Sequence, residues 1–283
     1  MLLQHCPQPA AQSDYRLEKR DNIKRLSFRY CLRADYSSPV RRHSFAFSFL
    51  PRDTARQRVT ALDIAIPGCP GFRETAGAFG CRRVYGTIEK PHSDFVISLS
   101  GSVTTGLDIF EEAAGDALDA APFRAQTGLT QPGEQLRRFH RSLSLTGSDY
   151  DKAIAIQKAL HETLVYLPGA TAAHESAEAA FAKGRGVCQD YAHCMAALLR
   201  MEGIPARYVT GMMLGEGASH AWVEALCGSW WYGFDPTNDL LADDSYIRVR
   251  CGRDSADCSI IRGTFYGPAC QMQQETVEVS QDD

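Results

Sequence analysis

A cysteine at the start of a predicted helix is the residue best placed to do chemistry. Gly184 and Gly186 precede Cys188, and apolar residues recur at helical spacing after it. At the first turn of a helix, backbone N–H groups and the helix dipole favour an anion and so lower the pKa of a thiol. Cys188 is therefore a candidate nucleophile, the alternative being an inert apolar side chain. Cys194 is expected to be an inert apolar side chain. His193 does not share the helix face of Cys188 and is expected to have a structural role.

Two later segments supply the partners that a thiolate nucleophile needs. His220 lies in the predicted strand Ser-His-Ala-Trp-Val-Glu, and Asp235 ends the next predicted strand, just before Pro236. An imidazole within hydrogen-bond reach activates the thiol, and an acceptor fixes the tautomer of the imidazole. Because proline interrupts the strand ladder, the side chain of Asp235 is free to project. The pattern predicts a Cys188–His220–Asp235 arrangement.

The residues around these three are expected to support them. On the predicted strand, Trp222 shares a face with His220, so it is either a substrate contact or a packing residue beneath the histidine. A carboxylate near a thiolate would raise the thiol pKa. We therefore expect Asp190 to hold structure, through Arg207 or a backbone amide, and not to catalyse.

Helices and strands must bring these residues together. Apolar periodicity of 3.6 predicts helices over residues 133–142, 148–165 and 177–182, and from 188 to a stop at Gly203. Alternating patterns predict N-terminal strands over 26–32, 43–50, 59–66, 82–89 and 94–103. The C-terminal part is predicted to hold strands over 206–214, 219–227, 229–234, 246–249, 259–266 and 276–280.

The length of 283 residues favours two domains. Residues 1–21 have no periodicity and are predicted to be a disordered lead-in. Residues 22–106 predict a β-rich, antiparallel β-sandwich-like domain, and 107–132 a connector. Residues 133–283 are predicted to form the catalytic domain, in which the helix carrying the cysteine packs on an antiparallel sheet. The expected fold class is α+β.

Composition limits the kinds of binding partner that the protein is expected to have. A formal net charge of -4 supplies no basic surface for nucleic acid or an anionic membrane, so neither is expected to bind. No apolar run approaches the roughly 18 residues of a membrane span, and the first residues lack a signal-peptide pattern. We therefore expect a cytoplasmic protein that acts on a peptide or protein substrate. The oligomeric state is not predicted.

The cysteines are interpreted as reduced thiols. Their number is ten, but they are dispersed over a long chain and form no Cys-x-x-Cys pair, so neither disulfides nor a structural zinc site is expected.

Several motifs together resemble a known family. Gly-Val-Cys188-Gln-Asp-Tyr-Ala-His, Gly203-Ile-Pro-Ala-Arg-Tyr-Val, His220-Ala-Trp-Val-Glu and Asp235-Pro-Thr-Asn resemble the transglutaminase-like superfamily of cysteine enzymes. The resemblance covers residues 150 to about 239, and more loosely the N-terminal part and residues 252–257. The layout looks like that of the bacterial two-part members. The resemblance implies a papain-like fold in the core, with Cys188 as nucleophile, His220 as general acid/base and Asp235 as the residue that orients it.

The chain departs from the animal enzymes in two ways. No tryptophan precedes the cysteine to act as the second oxyanion donor, which leaves Tyr166 and Gln189 as candidates beside the Cys188 backbone N–H. The acidic pairs at 111–112 and 243–244 are too short for a calcium loop, so no cofactor or metal is expected.

The leading hypothesis is a cysteine acyl-transfer enzyme that forms a Cys188 thioester from a peptide or amide. Water would resolve the thioester in a protease, amidase or deamidase reaction, and an amine would give transamidation. Hydrolysis is favoured, because an intracellular cross-linker would threaten its own cell. The alternatives are a catalytically inactive binding or scaffold module of the same fold and, third, a zinc-binding protein.

Overall fold

The computed structural model describes residues 23–107, 111–112, 120–172 and 174–282. The lead-in expected at 1–21 and residues 108–110 and 113–119 of the expected connector lie outside this part. Its helices are α1 (Glu134–Ser142), α2 (Asp149–Thr163), α3 (Ala177–Lys183) and α4 (Cys188–Met201). Single 3-10 turns lie at Ala78–Gly80 and Ala121–Phe123.

The strands are β1 (Lys24–Phe47), β2 (Gln57–Ala65), β3 (Phe72–Ala76), β4 (Arg82–Ile88), β5 (His92–Thr105), β6 (Glu111–Glu112), β7 (Val165–Tyr166), β8 (Arg185–Gly186), β9 (Ala206–Met213), β10 (Gly215–Gly217), β11 (His220–Cys227), β12 (Trp230–Asp235), β13 (Leu240–Leu241), β14 (Tyr246–Gly252), β15 (Ile261–Tyr266) and β16 (Gln271–Gln281). Together the elements give the expected α+β fold, which is mostly antiparallel sheet.

The N-terminal part is built on one long strand. The strands expected at 26–32 and 43–50 are both segments of β1, which was wrongly divided. Its first half pairs with β16 and β5, and its second half with β15 and β4. Tyr30 packs 4.5 Å from Phe49 and 5.9 Å from Phe47, although these positions would lie more than about 50 Å apart along a straight strand. The strand therefore bends, near Pro39, and encloses its own apolar core.

The C-terminal strands return to this N-terminal sheet. β16 pairs with β1 from Leu26 opposite Gln281 to Tyr36 opposite Gln271, and β15 pairs with the second half of β1. Residues 261–281, which the sequence assigned to the catalytic part, thus complete the N-terminal sheet. Strand pairing between distant segments leaves no local signal in the sequence. For the same reason the short strand β3 was missed.

A second sheet carries the catalytic part. Its strands follow the order β13-β12-β11-β9-β14, and β6 joins β12. α4 packs on β11 and β9 and is covered by α2 and α3, so residues 190–200 are all buried. The sequence predicted only an apolar stripe on this helix. The polar residue Arg200 is accommodated because its guanidinium donates to the carbonyls of Phe123 and Ala206 and to the Thr130 hydroxyl.

Charged and polar side chains join the two parts. Gln57, at the start of β2, accepts the N–H of Arg248 at 2.9 Å and donates to its carbonyl at 2.7 Å. The fully buried Glu224 on β11 pairs with Arg207 at 2.5 Å and with Arg248 at 3.4 Å. The ion pairs hold β9, β11 and β14 together, and the Gln57 hydrogen bonds attach β14 to the N-terminal sheet.

Within the described residues, all nine cysteines are free thiols. The same residues contain no helix long and apolar enough to cross a membrane. They also contain no group of three His, Cys, Asp or Glu side chains that could hold a metal ion.

Replacing Glu224 with Gln is expected to destabilise the fold by about 3–5 kcal/mol at pH 7, because Arg207 and Arg248 would lose the carboxylate that neutralises them. Burial would raise the pKa of Glu224, but the attraction of its arginine neighbours outweighs burial and lowers it. The stabilisation by ionised Glu224 is complete above the ordinary carboxyl pKa of 4.5. It is lost as the pH falls through the lower pKa that Glu224 has in the folded protein.

Urea unfolding followed by circular dichroism measures the difference, which should shrink at pH 3. The matched control is Glu216→Gln, since Glu216 is an exposed carboxylate and its replacement should leave stability unchanged. Equal unfolding free energies for Glu224→Gln and the wild type at pH 7 would contradict the prediction.

Candidate active site

Cys188 is positioned by two tight backbone features. α3 ends at Gly184, whose φ of 64° lies in the left-handed region that glycine adopts without strain. The short strand β8 follows and pairs with β7, placing Tyr166 opposite Gly186. α4 then begins at Cys188, which remains partly exposed. The thiol therefore sits at the open end of a helix that is otherwise buried.

The carboxylate of Asp190 fixes this helix start. It accepts the backbone N–H of Val187 at 2.8 Å and the hydroxyl of Thr171 at 2.6 Å. A Cβ atom on Gly186 would lie 2.5 Å from the same carboxylate, so only glycine fits there. Of the two partners expected for Asp190, the backbone amide is present, as the N–H of Val187. Arg207 is not its partner, because Arg207 pairs with Glu224.

His220 and Asp235 are joined by a short hydrogen bond. His220 Nε2 lies 2.7 Å from Asp235 Oδ2, and the carboxylate is fully buried. The side chain of Cys188 is close enough to the same imidazole to interact with it electrostatically and raise its pKa. His220 and Asp235 thus form a hydrogen-bonded pair, and Cys188 lies beside its imidazole.

His220 and Asp235 form a charged pair. Burial would lower the pKa of His220, but its interactions with Asp235 and Cys188 outweigh burial and raise the pKa to about 10. The imidazole is therefore protonated at neutral pH and donates from both nitrogens. Burial would raise the pKa of Asp235, and the donors around it lower the pKa instead. An imidazolium beside a thiol is the arrangement that favours a thiolate.

Further donors converge on Asp235. Its Oδ2 accepts from the side-chain amide of Asn238 at 2.7 Å and the hydroxyl of Tyr246 at 2.9 Å. Its Oδ1 accepts the backbone N–H groups of Thr237 and Asn238 at 3.0 and 3.4 Å. Sequence reasoning did not assign these residues. The Asp-Pro-Thr-Asn segment carried a turn signal for Asn238, but nothing local pointed to Tyr246, which reaches Asp235 from the start of β14.

The other candidate residues from the sequence differ in how exposed their side chains are. Tyr166 is 52% exposed, and the pairing of β7 with β8 places it opposite Gly186, two residues before Cys188. Burial and the charge of Cys188 raise the pKa of its phenol. Gln189 is partly exposed on the first turn of α4. Trp222 is only 1% exposed and stacks on His220 with ring centroids 6.4 Å apart. The structure therefore gives Trp222 the packing role.

The two polar neighbours on α4 are buried in the core. His193 accepts the N–H of Ser255 through Nε2 at 3.1 Å, and burial lowers its pKa to about 4, so the ring is neutral. Cys194 is fully buried, and burial raises the pKa of its thiol. Neither side chain is available to a substrate.

Comparison with known proteins assigns the family. Residues 137–236 match the transglutaminase-like superfamily, and residues 26–104 match the bacterial transglutaminase-like N-terminal region. The chain belongs to the transglutaminase-like superfamily. The second match also identifies the N-terminal sheet of this transglutaminase-like protein as a region that bacterial members share.

Relatives match the transglutaminase-like protein over most of its length. An uncharacterized protein of Mycobacterium leprae is 28% identical over 267 residues, which cover 87% of this chain and 94% of the relative. An uncharacterized protein of Mycobacterium tuberculosis is 28% identical over 290 residues, covering 90% and 91%. The crystal structure of a candidate cysteine protease from Cytophaga hutchinsonii is 24% identical, with a TM-score of 0.78, and covers 93% of this chain and 92% of that one. The fold of both parts is therefore shared with that structure.

We expect His220 to titrate near pH 10 in the wild type, and Asp235→Asn to move this titration toward the ordinary value of 6.5, because the variant loses the charge that holds the proton. NMR of protein labelled with 13C-histidine measures both values, with exposed His174 as an internal reference.

The raised pKa also gives a stability prediction. Protonated His220 stabilises the fold fully below pH 6.5, and this contribution is lost as the pH rises through about 10. The destabilisation caused by Asp235→Asn should accordingly be smaller at pH 11 than at pH 6. A wild-type titration of His220 near 6.5 would contradict the hydrogen-bonded geometry.

Proposed function

We propose that this protein is a cysteine acyl-transfer enzyme in which Cys188 is the nucleophile, His220 the general acid/base and Asp235 the residue that orients the imidazole. The observation that carries the proposal is the pair of His220 and buried Asp235, 2.7 Å apart, whose imidazole interacts with the Cys188 side chain at the start of α4. Membership of a superfamily of cysteine enzymes supports it.

The first half-reaction forms a thioester. The Cys188 sulfur attacks the carbonyl carbon of a peptide or amide, and the carbonyl electrons move to the oxygen as an oxyanion. Collapse of this intermediate breaks the C–N bond. Protonated His220 supplies the proton to the leaving amine, because its imidazole lies beside the Cys188 side chain. The neutral imidazole then remains hydrogen-bonded to Asp235 through Nε2.

The second half-reaction restores the enzyme. Neutral His220 takes a proton from water or from a primary amine, which attacks the thioester carbonyl, and the Cys188 thiolate leaves. Water gives hydrolysis or deamidation, and an amine gives transamidation. We propose hydrolysis as the main outcome, on a peptide or protein substrate.

Two groups are proposed to bind the oxyanion. The backbone N–H of Cys188 is at the N-terminus of α4, where the helix dipole favours negative charge. The phenol of Tyr166 is proposed as the second donor, because it is exposed and its strand lies beside the β8 residues that lead into Cys188. Trp222 is excluded from this role in the proposal by its burial beneath His220.

Cys188→Ala and His220→Ala should each lower turnover by about 10⁴-fold or more in protein that remains folded, because the three residues are proposed to act as one catalytic unit. Matched controls are Cys270→Ala and His174→Ala, which change an exposed thiol and an exposed imidazole elsewhere. Circular dichroism checks folding, and undiminished turnover in both active-site variants would refute the assignment.

The thiol can also be tested without a substrate. Iodoacetamide should label Cys188 much faster than Cys270 near neutral pH, although Cys270 is more exposed, because Cys188 lies at the start of α4 and beside the imidazole of His220. Peptide mapping by mass spectrometry gives the two rates in one sample. Equal rates would favour an inactive binding or scaffold module.

Incubating the protein with a peptide library, with and without a primary amine, shows whether water or the amine resolves the thioester. Mass spectrometry distinguishes chain cleavage, the gain of about 1 Da on deamidation, and incorporation of the amine. We expect cleavage or deamidation to dominate even with amine present, and Cys188→Ala to abolish every product. Amine incorporation as the dominant product would instead make the protein a transamidase.

A further inference from the structure

A carboxylate from the C-terminal strand holds the residue that precedes His220. Oε1 of Glu275, on β16, accepts the backbone N–H of Ser219 at 2.8 Å and its hydroxyl at 2.5 Å. Both hydrogen bonds are made to a charged acceptor, which makes them stronger than bonds between neutral groups. The position of the peptide leading into β11 is therefore fixed from outside the catalytic sheet.

The same carboxylate is tied to the core of the N-terminal sheet. Oε2 of Glu275 accepts the hydroxyl of Tyr30 on β1 at 3.1 Å. Tyr30 is 1% exposed and packs against Phe47 and Phe49. Burial, followed by the nearby Glu275 carboxylate, raises the pKa of the Tyr30 phenol, so the phenol stays protonated and donates. Tyr30, Glu275 and Ser219 form a set that we call the Glu275 clamp.

The loop that carries Ser219 is anchored to the same strand. Between β9 and β11 the chain leaves the catalytic sheet and forms β10, which pairs with β16 from Gly215 opposite Val279 to Gly217 opposite Val277. β16 is itself paired with β1 at eleven successive positions. The approach of the chain to His220 is thus set by the N-terminal sheet.

We propose that Glu275 is a positioning residue for His220, and that through the Glu275 clamp the N-terminal sheet is part of the active site. The inference rests on the proposed role of His220 as acid/base. His220 is the first residue of β11, so no preceding ladder bond of that strand fixes its entry. A shift of Ser219 would move the imidazole relative to both Cys188 and Asp235, and the strength of those interactions depends steeply on distance and angle.

The test compares single changes within the clamp. Glu275→Gln keeps the shape but replaces the charged acceptor with a neutral amide that has one acceptor oxygen, so the hydrogen bonds from Ser219 and Tyr30 are weakened. Iodoacetamide labelling of Cys188 at pH 6 should slow about 3- to 10-fold, and the His220 titration should fall by about one pH unit from its wild-type value. Tyr30→Phe should change both quantities in the same direction but less.

The matched control is Glu278→Gln on the same strand. Glu278 is exposed and pairs only weakly, at 3.4 Å, with the exposed Arg29, so its replacement should leave labelling and titration unchanged. If Glu275→Gln does not fold, Tyr30→Phe and Ser219→Ala carry the test, since each removes one hydroxyl from the clamp.

The outcomes separate the inference from the proposed function. A lower melting temperature with unchanged His220 titration and unchanged Cys188 labelling in the clamp variants would overturn the inference and leave Glu275 a purely structural residue. If the wild-type Cys188 labels no faster than Cys270, the proposed function fails. The His220 titrations of the clamp variants and the wild type then still support or overturn the positioning role.

Discussion

The carboxylate of Asp235 is removed from water completely, and a buried charge is stable only when other groups replace the lost hydration. Here the replacement comes from the His220 imidazolium, two side chains and two backbone N–H groups. Four separate segments must therefore be in place before the site is stable: the end of β12, the turn after it, the start of β11 and the start of β14. The geometry at Cys188 depends on this requirement, because His220 is held between the buried carboxylate and the sulfur.

The N-terminal and C-terminal parts of the chain share the task of holding these segments. β15 and β16 complete the sheet built on β1, and the loop before His220 lies on β16 through β10. On the other side, Gln57 at the start of β2 is hydrogen-bonded to Arg248 on β14, and the Glu224 ion pairs tie β14 and β9 to β11. The match of residues 26–104 to a bacterial N-terminal region agrees with a sheet that is retained together with the core. A part without reactive groups can thus still decide how the reactive groups are arranged.

Asp190 and His220 have different roles near Cys188. Asp190 lies close to the thiol in sequence, yet its charge is used by the Val187 N–H and the Thr171 hydroxyl, and burial raises its pKa. The cation next to the sulfur is His220, whose pKa the same surroundings raise. The pKa values of both groups are thus raised for different reasons: burial acts on Asp190, and interactions with Asp235 and Cys188 act on His220.

The sequence by itself determined the local features: a cysteine at a helix start, a histidine at a strand start and an aspartate at a strand end, together with the helices that surround them and the family resemblance. These follow from periodicity, from glycine and proline positions and from short motifs, all of which act over a few residues. Only the tertiary structure decided that 24–47 is one bent strand, that β16 pairs with it, and that Tyr246 and Glu275 reach the site. The reason is that strand pairing and side-chain contacts between distant segments depend on packing, for which a single sequence carries no local signal.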